Sequence, residues 1–160
     1  MAIERRSWKA ALMEDRYFED YAPGTTHDCG SVKFTEAEIV EFAAKYDPQP
    51  FHVDAEAAAA GPFGGLIASG WHTASLMMRL LTENYLSPVS SLGSPGIDEL
   101  RWVKPVRPGD VLRARVTVLE ARPSKSKPDR GLLTSLIEML DADDEVVFSA
   151  KALNFVLRRP

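Results

Sequence analysis

Between Ile67 and Leu81 the chain carries apolar residues on most sides of a helix, with no charge before Arg79. A helix of that composition is wrapped by other structure rather than laid on a surface with one stripe buried. Its start falls at Ser69 or Gly70, and Trp71, Met77, Met78 and Leu81 are read as core, with some of them able to shape a pocket. The second half of the chain supplies the wrapper. Ile97 to Val103, Val111 to Leu119, Leu132 to Leu140 and Val146 to Leu157 have strand-like composition and are bounded by Pro, Gly or Asp turn signals. A shorter run from about Gly30 to Phe34 can join them. Helices first, then strands with short connections, predict an α+β domain with an antiparallel sheet.

Upstream, Thr35 and Glu38 form a capping-box pattern ahead of Ile39, Phe42 and Ala43, which predicts a helix from about Glu36 to Lys45. That helix has to stop at Asp47, because Pro48 follows. Asp54 is placed to cap a second helix, Ala55 to Ala60, before Gly61-Pro62-Phe63-Gly64-Gly65 breaks the pattern. Lys104 to Asp110 reads as a loop, and Asp141 to Glu145 as an acidic hairpin tip.

The stretch Tyr46-Asp47-Pro48-Gln49-Pro50-Phe51-His52-Val53-Asp54 sets an acid and an imidazole five positions apart, with two prolines between them. Each proline fixes its own φ and pushes the preceding residue out of the α region, so Asp47 and Gln49 are extended or in a turn. A stiff bend suits general acid/base groups, which must reach one reacting atom or one water. The plainer reading is that such an Asp caps a helix and such a His is structural. His72 is favoured as structural or pocket-lining, and Cys29 as a small buried thiol. His27, His52 and His72 match no common metal spacing, so no metal is expected.

With 160 residues, 45% of them hydrophobic, the chain reads as one domain, 1–160, with residues 1–16 as an N-terminal extension. A net charge of -4 gives no electrostatic case for nucleic acid. No apolar run approaches the roughly 18 residues of a membrane helix. The charged start, Met1 to Arg6, and the single Cys29 point to the cytoplasm.

Three segments together resemble the MaoC-like dehydratases, the (R)-specific enoyl-CoA hydratase branch of the hotdog-fold superfamily. They are Asp47 to Asp54, then Phe63-Gly64-Gly65-Leu66-Ile67-Ala68-Ser69-Gly70, then Leu100 to Asp110, and the resemblance runs from about Tyr17 to Pro160. It implies a long central helix wrapped by a curved antiparallel sheet, a homodimer with sheets joined edge to edge, and acyl-thioester sites at the subunit interface. Asp47 and His52 take the places of the catalytic pair, and the N–H of Gly70 that of the donor to the thioester carbonyl oxygen. Ser69, Gln49 and Gly65 are grouped with Gly70 as oxyanion or substrate-binding residues. The chain departs from the family at Gln49, commonly Asn, at Ser69, His in some hydratases, and at Met78, where some carry a helix serine.

The activity so implied is interconversion of 2-enoyl-CoA and 3-hydroxyacyl-CoA, with coenzyme A as part of the substrate and no separate cofactor. The basic run Arg122 to Gly131, with Lys125, Lys127 and Arg130, is a solvated loop or a seat for coenzyme A phosphates, together with Arg158 and Arg159. Two alternatives stay open: an acyl-CoA thioesterase on the same scaffold, and a non-catalytic acyl-thioester binder.

Overall fold

The computed structural model describes residues 15–160. The charged start and all but the last two residues of the expected N-terminal extension therefore lie outside the described residues. After a single 3-10 turn at Phe18–Asp20, β1 (Thr26–Lys33) leads into three helices, α1 (Glu36–Tyr46), α2 (Pro50–Val53) and α3 (Ala55–Ala60). The long helix α4 (Gly70–Asn84) follows, then β2 (Gly96–Trp102), β3 (Val111–Pro123), β4 (Arg130–Leu140) and β5 (Val146–Leu157).

The strands form one antiparallel sheet in the order β1-β3-β4-β5-β2. Register shifts interrupt β1 between Asp28 and Ser31, β2 between Asp98 and Arg101, and β3 between Val118 and Glu120. Such bulges bend a strand and increase its twist, which lets the sheet curl over a helix. In β1 the bulge is served by Gly30 at φ +80, with Asp28 Oδ1 accepting from its N–H. Gly30, expected near a strand start, thus sits inside a longer strand.

The inner face alternates along β3 as Leu112, Ala114, Val116 and Val118, joined by Leu133, Ile137, Met139, Phe148 and Ala150 from its neighbours. These pack against Met77, Leu80 and Leu81 of α4 and Tyr85 just after it, giving the helix-on-curved-sheet arrangement expected of a hotdog domain. The wrapping is one-sided. Met77 and Leu81 are core as expected, but Trp71 is 59% exposed and Met78 45%, because the strands cover one face of α4 and leave the other bare.

Among the described residues no helix is long and apolar enough to cross a membrane. None of their His, Cys, Asp and Glu side chains gather in threes as a cation would need. Cys29 is fully buried, and burial pushes its thiol up to about 11, consistent with a structural role.

Candidate active site

Three separate pieces of chain meet at one end of the sheet: the bend after α1, the segment leading into α4, and the connection after β2. Their backbones are tied together, Ile67 N–H to Phe51 carbonyl at 3.1 Å and Ala68 N–H to Val106 carbonyl at 2.8 Å. The cleft between them has a volume of about 410 Å³, and Asp47, Gln49, His52, Gly70 and Trp102 are among the residues lining it. That volume lies in the lower part of the range for small-molecule sites.

Each functional side chain is delivered by a local rule. Thr35 caps α1, its Oγ1 accepting from Glu38 N–H, and the helix runs one residue beyond expectation before Pro48 ends it. Asp47 therefore becomes the C-cap, at φ -153 and ψ 66, projecting past the helix end. Gln49 is extended, and Pro50 then opens the short turn α2 at its first position, where a proline's missing N–H costs nothing. The sequence reading of an unbroken bend missed that turn. It buries His52, while Asp54 closes the segment by capping α3 through Glu56 N–H and Ala57 N–H, as its position predicted.

His52 is fixed through Nδ1. The Ile67 carbonyl oxygen lies 2.6 Å from Nδ1 and can only accept, so Nδ1 carries the proton. Nε2 then faces Asp47 Oδ2 at 3.3 Å. The carboxylate is held in turn: Ser69 Oγ donates to Oδ2 and Gln49 Nε2 donates to Oδ1, each at 2.7 Å. The hydrogen bonds from Ser69 and Gln49, with His52 beside them, hold the Asp47 carboxyl below its ordinary value. With 21% of its side chain exposed, Asp47 still faces the cleft.

Gly70 opens α4 on the same cleft. Among the described residues no acceptor meets the N–H of Gly70 or of Trp71, so the positive end of the helix is open to an incoming oxygen. The absence of a side chain at Gly70 makes room for another residue. A Cβ there would overlap the Trp102 indole, whose Nε1–H donates to the Gly70 carbonyl at 2.8 Å. Trp102, 32 residues on and not among the expected site residues, is thus a wall of the site, with its ring edge-to-face against Trp71 at 5.1 Å.

Of the other expected site residues, Gly65 is absent from the cleft lining; at φ +156 it faces Arg107, whose guanidinium holds the Phe63 carbonyl at 2.6 Å. Lys125, Lys127 and Arg130 lie at or beside the turn joining β3 to β4, with Arg130 paired to Asp129. The register sets Trp102 beside Phe148 and Met139, whereas that turn closes at Pro123 opposite Gly131. Eight residues of β4 separate Met139 from Gly131, about 26 Å at roughly 3.3 Å per residue, so within one chain the basic turn stays away from the cleft. Arg158 and Arg159 are engaged by Glu19 and Asp20.

The sequence profile of the MaoC like domain matches residues 19–137. Uncharacterized protein YdeM of Bacillus subtilis is 30% identical over 141 residues, covering 88% of this chain and 98% of its own. The 3-hydroxybutyryl-CoA dehydratase of Methylorubrum extorquens is 32% identical over 139 residues, covering 86% of this chain and 82% of its own. The crystal structure of a MaoC-like dehydratase from Rhodospirillum rubrum superposes with a TM-score of 0.84 at 44% identity, over 91% of this chain and 99% of that one.

Proposed function

Because the chain belongs to the MaoC-like dehydratase family and has its hotdog fold, we propose that this hydro-lyase interconverts 2-enoyl and 3-hydroxyacyl thioesters of coenzyme A, with Asp47 and His52 as its acid/base pair. The observation that carries the assignment is the 3.3 Å approach of Asp47 Oδ2 to His52 Nε2 on the cleft that also holds the open N–H groups of α4. With Nδ1–H committed to Ile67, a neutral His52 presents a lone pair beside the carboxylate. Two acceptors at that spacing can take the two hydrogens of a single water and aim its oxygen outward.

In hydration the water oxygen bonds to C3 as Asp47 accepts its proton. The C2–C3 π pair moves onto the thioester carbonyl, whose developing negative oxygen is met by the N–H groups at Gly70 and Trp71. Collapse of that enolate takes a proton at C2 from the pair, with His52 relaying it, and the site returns to its starting protonation. Donors of this kind contribute about 3 kcal/mol to an oxyanion in well-measured enzymes. Dehydration runs the same steps in reverse.

Coenzyme A enters this scheme only as part of the substrate, and the cytoplasm is the compartment that fits it. A homodimer completes the site. β2 is an edge strand, and Ile97, Trp102 and Val103 on and just after it are each more than two-fifths exposed, as is Trp71. Pairing two copies antiparallel along β2 would cover these side chains and swap the ends of the sheets. The basic β3–β4 turn of one copy would then lie toward the cleft of the other, where Lys125 and Lys127 could meet the carrier's phosphates. Lys125→Ala/Lys127→Ala should then raise KM for a coenzyme A thioester about tenfold and leave a truncated thioester unaffected; equal effects on both would remove the assignment.

The deciding assay offers purified protein a panel of short, medium, branched and dicarboxylic enoyl-CoAs. A hydratase bleaches the absorbance of the conjugated double bond without releasing free thiol. Thiol release would instead mark a thioesterase, and no change across the panel would reject the hydratase assignment.

A further inference from the structure

Ser69 stands at the N-cap of α4, where a serine hydroxyl ordinarily accepts from an N–H two or three residues on, yet it makes no such bond. The helix start is served by its backbone instead, the Ser69 carbonyl accepting from His72 N–H at 3.0 Å and Thr73 N–H at 3.2 Å. The hydroxyl is turned the other way, donating to Asp47 Oδ2 at 2.7 Å across 22 residues of chain. Ser69 is fully buried, and a hydroxyl has one proton to give, so that proton is not available to a substrate carbonyl.

We propose that Ser69 is a positioning residue: its buried hydroxyl fixes the Oδ2 edge of Asp47 toward the cleft, and its failure to cap leaves the first N–H groups of α4 open to the thioester oxygen. This refines the reading of Asp47 as the base and rests on it. The two grips on the carboxylate are not equivalent. Gln49 reaches Oδ1 from an exposed position where water can replace its amide, whereas Ser69 works from a dry one where nothing can. Donation to the charged form also favours the ionised carboxylate, in keeping with the downward displacement of its titration.

The other charged or titratable groups facing Asp47 are few. His52 of α2 lies at 3.3 Å, and Lys104, after β2, lines the same cleft with its ammonium engaged by Asp141 and Glu145. Both keep their own side chains in a Ser69 variant, so the serine hydroxyl is the one group removed.

The test is a pair of titrations on the full chain, comparing wild type with Ser69→Ala. The Asp47 carboxyl is followed by carbon-13 NMR, assigned with Asp47→Asn, and kcat/KM for an enoyl-CoA is measured against pH. Ser69→Ala should raise the Asp47 midpoint by about one unit and move the acid limb of kcat/KM with it. At neutral pH kcat should fall about tenfold while KM stays within about twofold. The melting temperature at neutral pH should fall by a few degrees, because the buried hydrogen bond to the ionised carboxylate is lost, and that fall should vanish at a pH where Asp47 is protonated. Ser69→Thr, which keeps the hydroxyl, should restore the wild-type midpoint; should its methyl prevent folding, Ser69→Cys, a weaker donor, should fall between. An Asp47 midpoint unmoved in Ser69→Ala overturns the proposal whatever the activity. A wild type inert to every enoyl thioester, with the NMR displacement present, would sink the hydratase reading and leave the hold of Ser69 on Asp47 standing.

Discussion

His52 and His72 are equally buried, each 5% exposed, and α1 packs near both, yet their surroundings are opposite. In the pocket of His52 both ring nitrogens face oxygen, Ile67 carbonyl on one side and Asp47 on the other. In the seam between α1 and α4, His72 is stacked on Phe42 with ring centroids 4.9 Å apart and meets Phe34 edge-on at 5.3 Å. Its Nδ1 is buried and has no partner among the described residues. Burial depresses the His72 titration, opposed by the charge of Glu38. Burial alone therefore says nothing about chemistry: a histidine becomes a catalyst when its proton has somewhere to go, and His72 is a flat core side chain with an unused polar edge.

The comparison can be broken most directly at its polar pole. Asp47→Asn keeps the shape and removes the base, so kcat should fall about 10³-fold with the fold intact by circular dichroism. His52→Ala should cost less, about 10²-fold, because Asp47 can still orient a water. A His52→Ala enzyme at near wild-type speed would make the two histidines equivalent after all.

At the apolar pole, His72→Phe keeps the ring stack and removes the orphaned nitrogen. Turnover should stay within about twofold and stability should rise by about 1 kcal/mol, measured by denaturant unfolding. A hundredfold loss of activity there would put His72 in the mechanism. The smallest effect concerns acid. Folded His72 titrates below the ordinary 6.5, so between its folded value and 6.5 the unfolded chain binds more protons, and stability drops as pH falls through that window. His27 is displaced the same way by burial and by Arg16. The slope should therefore become shallower in His72→Phe without vanishing; an unchanged slope would mean that His72 does not contribute to it.

How much of this was legible in the chain depended on whether the cause was local. Thr35 with Glu38, Pro48, and Asp54 placed their helix boundaries to within a residue, because capping and proline sterics act within a few positions. The strand from Val146 to Leu157 came out with its observed ends. β3 instead runs on to Pro123, since its last residues are held by pairing with Gly131 to Thr134 rather than by their own composition. The proposed acid/base pair could be read because it lies within one bend. The Ser69 hydroxyl on Asp47, the Trp102 ring on Gly70 and the bare outer face of α4 could not be read, since each depends on which distant surfaces meet. Ser69 is expected only as a helix start and as one of the oxyanion or substrate-binding residues, and nothing local to it indicates that its hydroxyl reaches Asp47.

Cys29 carries a practical consequence. It is the sole cysteine of the chain, fully enclosed within β1, with its thiol pushed up to about 11. Thiol reagents should pass the native protein by and react at the rate at which β1 leaves the sheet, so the wild type contains its own unfolding clock. For the same reason a cysteine introduced on the bare face of α4 would be the only one to take a maleimide dye in the native state, allowing two labelled copies to report by energy transfer whether they have met.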